Sequence, residues 1–184
     1  MPPRPAMLLP YAERLTGLRE WERSVTLTLN RHTHAPLWQR FFAAISRMGD
    51  GALWGVLGIS LLLLGGTAGQ RCALHMAIAA AISLTLYKLC KRYACRPRPC
   101  ASLRELHVCV APLDEGSFPS GHTLHAVLFS AVIVAHFPEA AVALVPFVVL
   151  TALSRVVLGL HYPSDVLGGA ALGAAVAILS FAFA

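Results

Sequence analysis

The sequence predicts an all-α fold, a polytopic membrane helical bundle of about five transmembrane helices preceded by N-terminal amphipathic interfacial helices. The first observation behind this is composition. Of 184 residues, 57% are hydrophobic and only 13% charged, and the mean hydropathy is +0.64. A soluble domain is roughly half apolar and about a quarter charged. This chain has too little polar surface to cover a soluble ball of its size, and far too much apolar content for a disordered chain. The second observation is five long apolar runs, at 51–66, 72–90, 120–137, 140–158 and 166–184. Most approach the roughly 20 residues that cross a bilayer as helix. The third is that no stretch alternates polar and apolar residues over the length of a barrel strand. In lipid the backbone must then satisfy itself within helices.

Taken in order, residues 1–10 are Pro-rich, and Met7-Leu8-Leu9 is too short for a signal-peptide core. Leu15, Leu18, Trp21, Val25 and Leu29 follow at helical spacing, with Arg14, Arg19, Glu20, Glu22 and Arg23 on the other face. A second stripe, Leu37, Phe41, Ile45 and Met48, follows Pro36, with Arg40 and Arg47 off it. Both stripes read as helices lying in the membrane interface or as packing helices that cap the bundle. Residues 1–50 therefore form an N-terminal amphipathic segment, and 51–184 a single membrane-embedded core. The first apolar run is short and is expected to borrow a turn from the segment before it. One long loop, 91–119, is rich in Pro, Arg and Cys and holds Asp114 and Glu115. Charged irregular chain of this length belongs in water or in a protein cavity.

Fifteen Lys+Arg against nine Asp+Glu give a net charge of +6, and only Lys88 and Lys91 are lysine. No RNA-binding or zinc-finger pattern accompanies the surplus, so nucleic acid is not an expected partner. Membrane lipids and a phosphate-bearing substrate are. Five cysteines, with no C-x-x-C pair, suggest no zinc site and leave a loop disulfide open.

Alternate crossing brings the end of the second run, the start of the third, the end of the fourth and the start of the fifth to one membrane face. The densest polar residues lie there. Lys91 and Arg98 supply positive charge, and arginine can fork onto two phosphate oxygens; stop-transfer charge is the alternative, and Arg92 and Arg96 fit it. Pro119-Ser120-Gly121-His122 opens a helix. Ser120 suits its N-cap, Gly121 permits close approach to the backbone, and a helix start attracts anions. An ordinary capped helix is the alternative, and His125 reads as packing. Arg155, near the end of an apolar run, needs an anion. Pro163 suits the first turn of the next helix. Asp165, four residues after His161, is placed to hold one of its ring nitrogens and leave the other free, although such a pair is often structural. Two histidines, a carboxylate, several cations and a helix start on one face together suit phosphoryl transfer through a phosphohistidine.

Lys91-x6-Arg98-Pro99, Pro119-Ser120-Gly121-His122 and Ser154-Arg155-x5-His161-x3-Asp165 resemble the three-part signature of the type-2 phosphatidic acid phosphatase superfamily. Its members include membrane lipid phosphate phosphatases, bacterial acid phosphatases and vanadium-dependent haloperoxidases. The resemblance implies a membrane lipid phosphatase acting on a lipid phosphate monoester or diphosphate. In it, His161 is the nucleophile oriented by Asp165. His122 protonates the leaving oxygen and then activates water. Lys91, Arg98, Arg155, Ser120 and Gly121 hold the phosphate. It implies no cofactor and no metal. The N-terminal region departs from the pattern, since many membrane members have six spans. Competing readings are a metal-dependent hydrolase using His122, His125, His161 and Asp165, and a non-enzymatic transporter or scaffold.

A bacterial-type inner membrane is the expected location. With five spans, the motif face carries twelve Lys+Arg and the other face Arg71 alone. The positive-inside rule then puts the site on the cytoplasmic side, provided 24–46 do not cross. Family habit favours the periplasm.

Overall fold

The computed structural model describes residues 9–182 apart from Cys109, Leu113 and Glu115, and for 9–15 the backbone alone. Residues 1–8 and the side chains of Arg14 and Leu15 lie outside it. Eight α-helices follow in order: α1 Leu9–Asn30, α2 Pro36–Met48, α3 Gly51–Leu64, α4 Gly66–Ala94, the single turn α5 Pro99–Ser102, α6 Gly121–His136, α7 Ala141–Val157 and α8 Pro163–Ser180. Among the described residues there is no strand, only one antiparallel bridge between Pro97 and Gly116. The all-α bundle is as the sequence predicts.

Three helical segments, Gly66–Ala94, Pro138–Val157 and Pro163–Ser180, are long and apolar enough to cross a membrane. A fourth crossing forms if α2 and α3, bent by 48° at their junction, count as one. That junction is where the short first run meets the segment before it. The remaining apolar helix, α6, has 16 residues and lies among the others. Its Leu124, Leu128 and Val132 share one core cluster with Trp54 of α3, Met76 of α4 and Val176 of α8. Lipid is as apolar as leucine, so close packing has to hold such helices together. Small residues permit it: Gly169 and Gly173 of α8 lie one turn apart, and a Cβ on either would stand 2.4 and 2.5 Å from the carbonyl oxygens of Ser120 and Leu124 in α6.

In the N-terminal helices one polar stripe faces inward, while Arg19, Glu20, Arg23, Arg40 and Arg47 stay exposed. Glu22, Thr26, Asn30 and Thr33 are buried, whereas Leu18 and Trp21 are exposed. In α2, Phe42 and Ser46 are buried while Leu37 is 76% exposed and Trp38, Phe41 and Met48 also face out. Asn30 ties α1 to the bundle by donating to the carbonyls of His107 and Val157 at 3.1 and 2.9 Å and accepting from His107 N at 2.8 Å. Cys72, Cys90, Cys95 and Cys100 are free thiols; Cys109 lies outside the described residues.

Candidate active site

The end of α4, the long loop, the start of α6, the end of α7 and the start of α8 meet at one end of the bundle. His161, in the connection between α7 and α8, is buried. Its Nδ1 lies 2.6 Å from the carbonyl oxygen of Ser117. A carbonyl only accepts, so Nδ1 carries the proton and Nε2 the lone pair. Arg98 Nη1 donates to that Nε2 at 2.9 Å and to Leu160 O at 2.8 Å. Burial pushes the His161 ring down to about 4; the Asp165 carboxylate opposes this, and the Arg155 and Arg98 charges reinforce it. The ring is therefore neutral at neutral pH.

Asp165 stands one step further back than the sequence suggests. Its Oδ2 is 3.8 Å from His161 Nδ1, too far for a hydrogen bond. That oxygen instead accepts from Tyr162 N at 2.8 Å, closing a capping box at the start of α8. The other, Oδ1, accepts from Arg96 Nη1 at 2.8 Å. The orienting contact on His161 is thus a backbone carbonyl, which no side-chain pattern reveals. Arg96 in turn is more than a stop-transfer charge. It also reaches Ser164 Oγ at 2.7 Å and Glu22 Oε2 at 2.6 Å, and lies over the Tyr162 ring. Arg92 is exposed.

Lys91 and Arg98 converge on one carboxylate, Asp114, at 2.6 and 2.8 Å, and Tyr87 donates to its second oxygen at 2.8 Å. Burial raises the Asp114 carboxyl, but the hydrogen bonds from Lys91, Tyr87 and Arg98 outweigh it and hold the group at about 2. Lys91 and Asp114 line a cleft of about 560 Å³ with Tyr87, Lys88, Arg96 and Gly116. Arg155 is buried, and its Nη1 donates to Ser46 Oγ of α2. Its Nε has no hydrogen-bond partner among the described residues. Lys91 and Arg98 thus share one carboxylate, and Arg155 donates to a hydroxyl and to no acid among the described residues, an imbalance that an incoming anion would relieve.

At the start of α6, Ser120 occupies the N-cap, yet its hydroxyl pairs with Thr123 Oγ1 at 3.0 Å rather than with a backbone N–H. Ser120 N donates to Asp165 O at 2.9 Å, joining α6 to α8. A Cβ on Gly121 would lie 3.0–3.2 Å from the Tyr87 ring, so the close approach that this glycine permits is to Tyr87. His122 is buried, with Nε2 2.6 Å from Asp50 Oδ1. His125 stacks on Phe129. Among the described residues no group of three or more His, Cys, Asp or Glu is placed to hold a metal; His122, His125, His161 and Asp165 form no such set.

Sequence reasoning missed Glu22, Ser46, Asp50, Tyr87, Asp114 and Ser117. The one readable trace was the spacing of Glu22, Thr26, Asn30 and Thr33, a polar stripe at helical period.

Comparison with known proteins places the chain among relatives. Over 125 residues, 68% of this chain and 64% of the relative, the sequence is 30% identical to undecaprenyl-diphosphatase BcrC of Bacillus subtilis. It is 41% identical over 64 residues to a lipid A 1-phosphatase of Rhizobium johnstonii, covering 35% of this chain and 26% of that one. The chain thus spans less than two thirds of these curated relatives. The crystal structure of Aquifex aeolicus LpxE superposes with a TM-score of 0.76 at 25% identity, covering 86% of this chain and 93% of that one. A transmembrane PAP2-type phosphatidylglycerolphosphate phosphatase from Bacillus subtilis shares the fold, with a TM-score of 0.73 at 23% identity over 96% and 90% of the two chains. The PAP2 superfamily model matches residues 72–184, from within α4 through every motif described above, and the chain belongs to the PAP2 superfamily.

Proposed function

We propose that the protein is an integral-membrane lipid phosphatase that hydrolyses a phosphate monoester or diphosphate through a phosphohistidine on His161. The observation that carries this is the His161 ring. Neutral and fixed by Ser117 O, it holds a lone pair on Nε2 towards Arg98, with the Arg155 charge close by. A neutral imidazole is a nucleophile, and surrounding cations stabilise charge developing on the phosphoryl oxygens. An entering phosphate takes over the N–H of Arg98 that caps Nε2 and the unpartnered Nε of Arg155. Nε2 then bonds to phosphorus as the bond to the lipid oxygen breaks, and His122 gives that oxygen its proton. Water, losing a proton to His122, releases phosphate and frees His161. Asp165 and Arg96 act behind His161, holding the start of α8.

The lipid nature of the substrate is supported by the names of the relatives. It is also supported by an apolar cavity of about 560 Å³ between α3 and α4. Gly51, next to Asp50, and His125 are among the residues lining it, so a hydrocarbon chain there would lie close to the cradle. Candidate substrates are phosphatidic acid, phosphatidylglycerophosphate, polyprenyl phosphates or diphosphates, and lipid A. Purified protein in detergent should release phosphate from at least one of them, with and without chelator, and His161→Ala and His122→Ala should stop it. Full activity in His161→Ala would overturn the mechanism.

We infer a cytoplasmic site. Glu22, Asn30, Ser46 and Asp50 all touch residues at the active-site end. This supports the arginines of α1 and α2 lying on that face, against Arg71 on the other. The outward Leu37, Trp38 and Phe41 suit the membrane interface. Labelling of Cys95 by an impermeant thiol reagent in whole cells would refute a cytoplasmic face.

A further inference from the structure

The α2–α3 junction carries a residue whose chemistry the motif-bearing helices do not supply. Asp50 stands at the N-cap position of α3 with extended backbone, φ −66° and ψ 158°. An aspartate there normally accepts from the first backbone N–H groups of its helix. This one makes no side-chain cap bond. Its Oδ1 lies instead 2.6 Å from His122 Nε2, a contact spanning 72 residues. The preceding residue presses the junction onto the same ring: a Cβ on Gly49 would lie 3.4 Å from His122 Cδ2 and 3.0 Å from Thr151 Cγ2. One turn earlier, Ser46 accepts from Arg155. The junction therefore grips the second histidine and the buried arginine together, and it lies outside the 72–184 family match.

Charge explains what the grip does. Arg155 of α7 and Asp50 of the junction are the charged groups facing His122, and His125 lies one turn along α6. A proton on His122 places a second positive charge near Arg155, and Asp50 supplies the opposing negative charge. We propose that Asp50 is the positioning residue for His122 in the phosphatase reaction proposed above, fixing the ring through Nε2 so that Nδ1 carries the transferred proton. In the first step the His122 imidazolium gives its Nδ1 proton to the leaving oxygen as the lipid P–O bond breaks and the P–Nε2 bond to His161 forms. In the second, neutral His122 takes a proton from water, whose oxygen bonds to phosphorus as the P–N bond breaks. Asp50 keeps its charge throughout.

This role separates from a structural one by leaving group. An alkoxide needs a proton as it departs, whereas p-nitrophenolate departs unaided. The test compares single-turnover alcohol release from dioctanoyl phosphatidic acid with the p-nitrophenol burst from p-nitrophenyl phosphate. Asp50→Asn should lower the alkyl rate roughly 10- to 100-fold and the aryl burst much less, shifting their ratio about tenfold or more. Asp50→Glu, which restores the charge, should recover part of the ratio. Asp50→Ser suits the N-cap position without the charge, and should shift the ratio as Asp50→Asn does. Equal losses on both substrates, or no loss on either, would overturn the proposal. If the wild-type protein hydrolyses neither of these nor any other candidate lipid phosphate, the phosphatase reading itself fails.

Discussion

The two histidines of the site are the same side chain in opposite surroundings. His161 is held by a carbonyl, which fixes a tautomer and brings no charge, and a guanidinium donates to its other nitrogen. His122 is held by a carboxylate. The first contact fixes a tautomer with a lone pair on Nε2; the second sets a carboxylate directly against the His122 ring. In the reaction proposed above, one residue type serves as both nucleophile and acid, separated by what faces each ring.

The largest test of this contrast is removal of the nucleophile. His161→Ala should lower phosphate release by at least about 10³-fold, with thermal unfolding in detergent little changed, because without the ring no covalent intermediate forms. Arg155→Met should follow, with a loss of roughly 10²- to 10³-fold mainly in kcat, since a buried donor acts most on the charge of the transition state. Asp165→Asn sharpens the comparison. A carboxylate that grips a catalytic histidine directly is worth about 10⁴-fold. At 3.8 Å, behind the Ser117 contact, Asp165 should be worth only about 10- to 100-fold; a full 10⁴-fold loss would mean that it grips His161 during turnover. The mildest probe is pH. Protonated His161 has no lone pair to attack with, so the acid limb of kcat/KM should lie near about 4, the rate falling as pH drops through it. An acid limb set by His161 at the ordinary histidine value would contradict the buried, cation-flanked ring. Asp114, held at about 2, should stay ionised throughout this range.

The legible and illegible parts of the site differ by kind of contact. Lys91, Arg98, His122, Arg155 and His161 were readable because the family's chemistry demands those residue types at those intervals. Their partners were not. Asp50, Ser46 and Glu22 carry no motif, and each meets its partner across 72 to 142 residues. The amphipathic stripes were visible, but an amphipathic helix has two faces, and the stripe itself does not say which one the bundle takes. Here Glu22 and Asn30 turn inward because Arg96, Ser164 N and the Val157 carbonyl are there to meet them.

Composition and run length by themselves determined an all-helical membrane bundle, because a chain with so little charge has to satisfy its backbone within helices. The three motifs determined that lysine, arginine and histidine side chains gather at the ends of four of those helices. Only the tertiary structure decided that a carbonyl rather than Asp165 orients His161, that Asp114 lies between Lys91 and Arg98, and that the α2–α3 junction closes over His122. Those outcomes depend on which surfaces the packed helices bring within hydrogen-bond reach, and spacing along the chain carries no record of that.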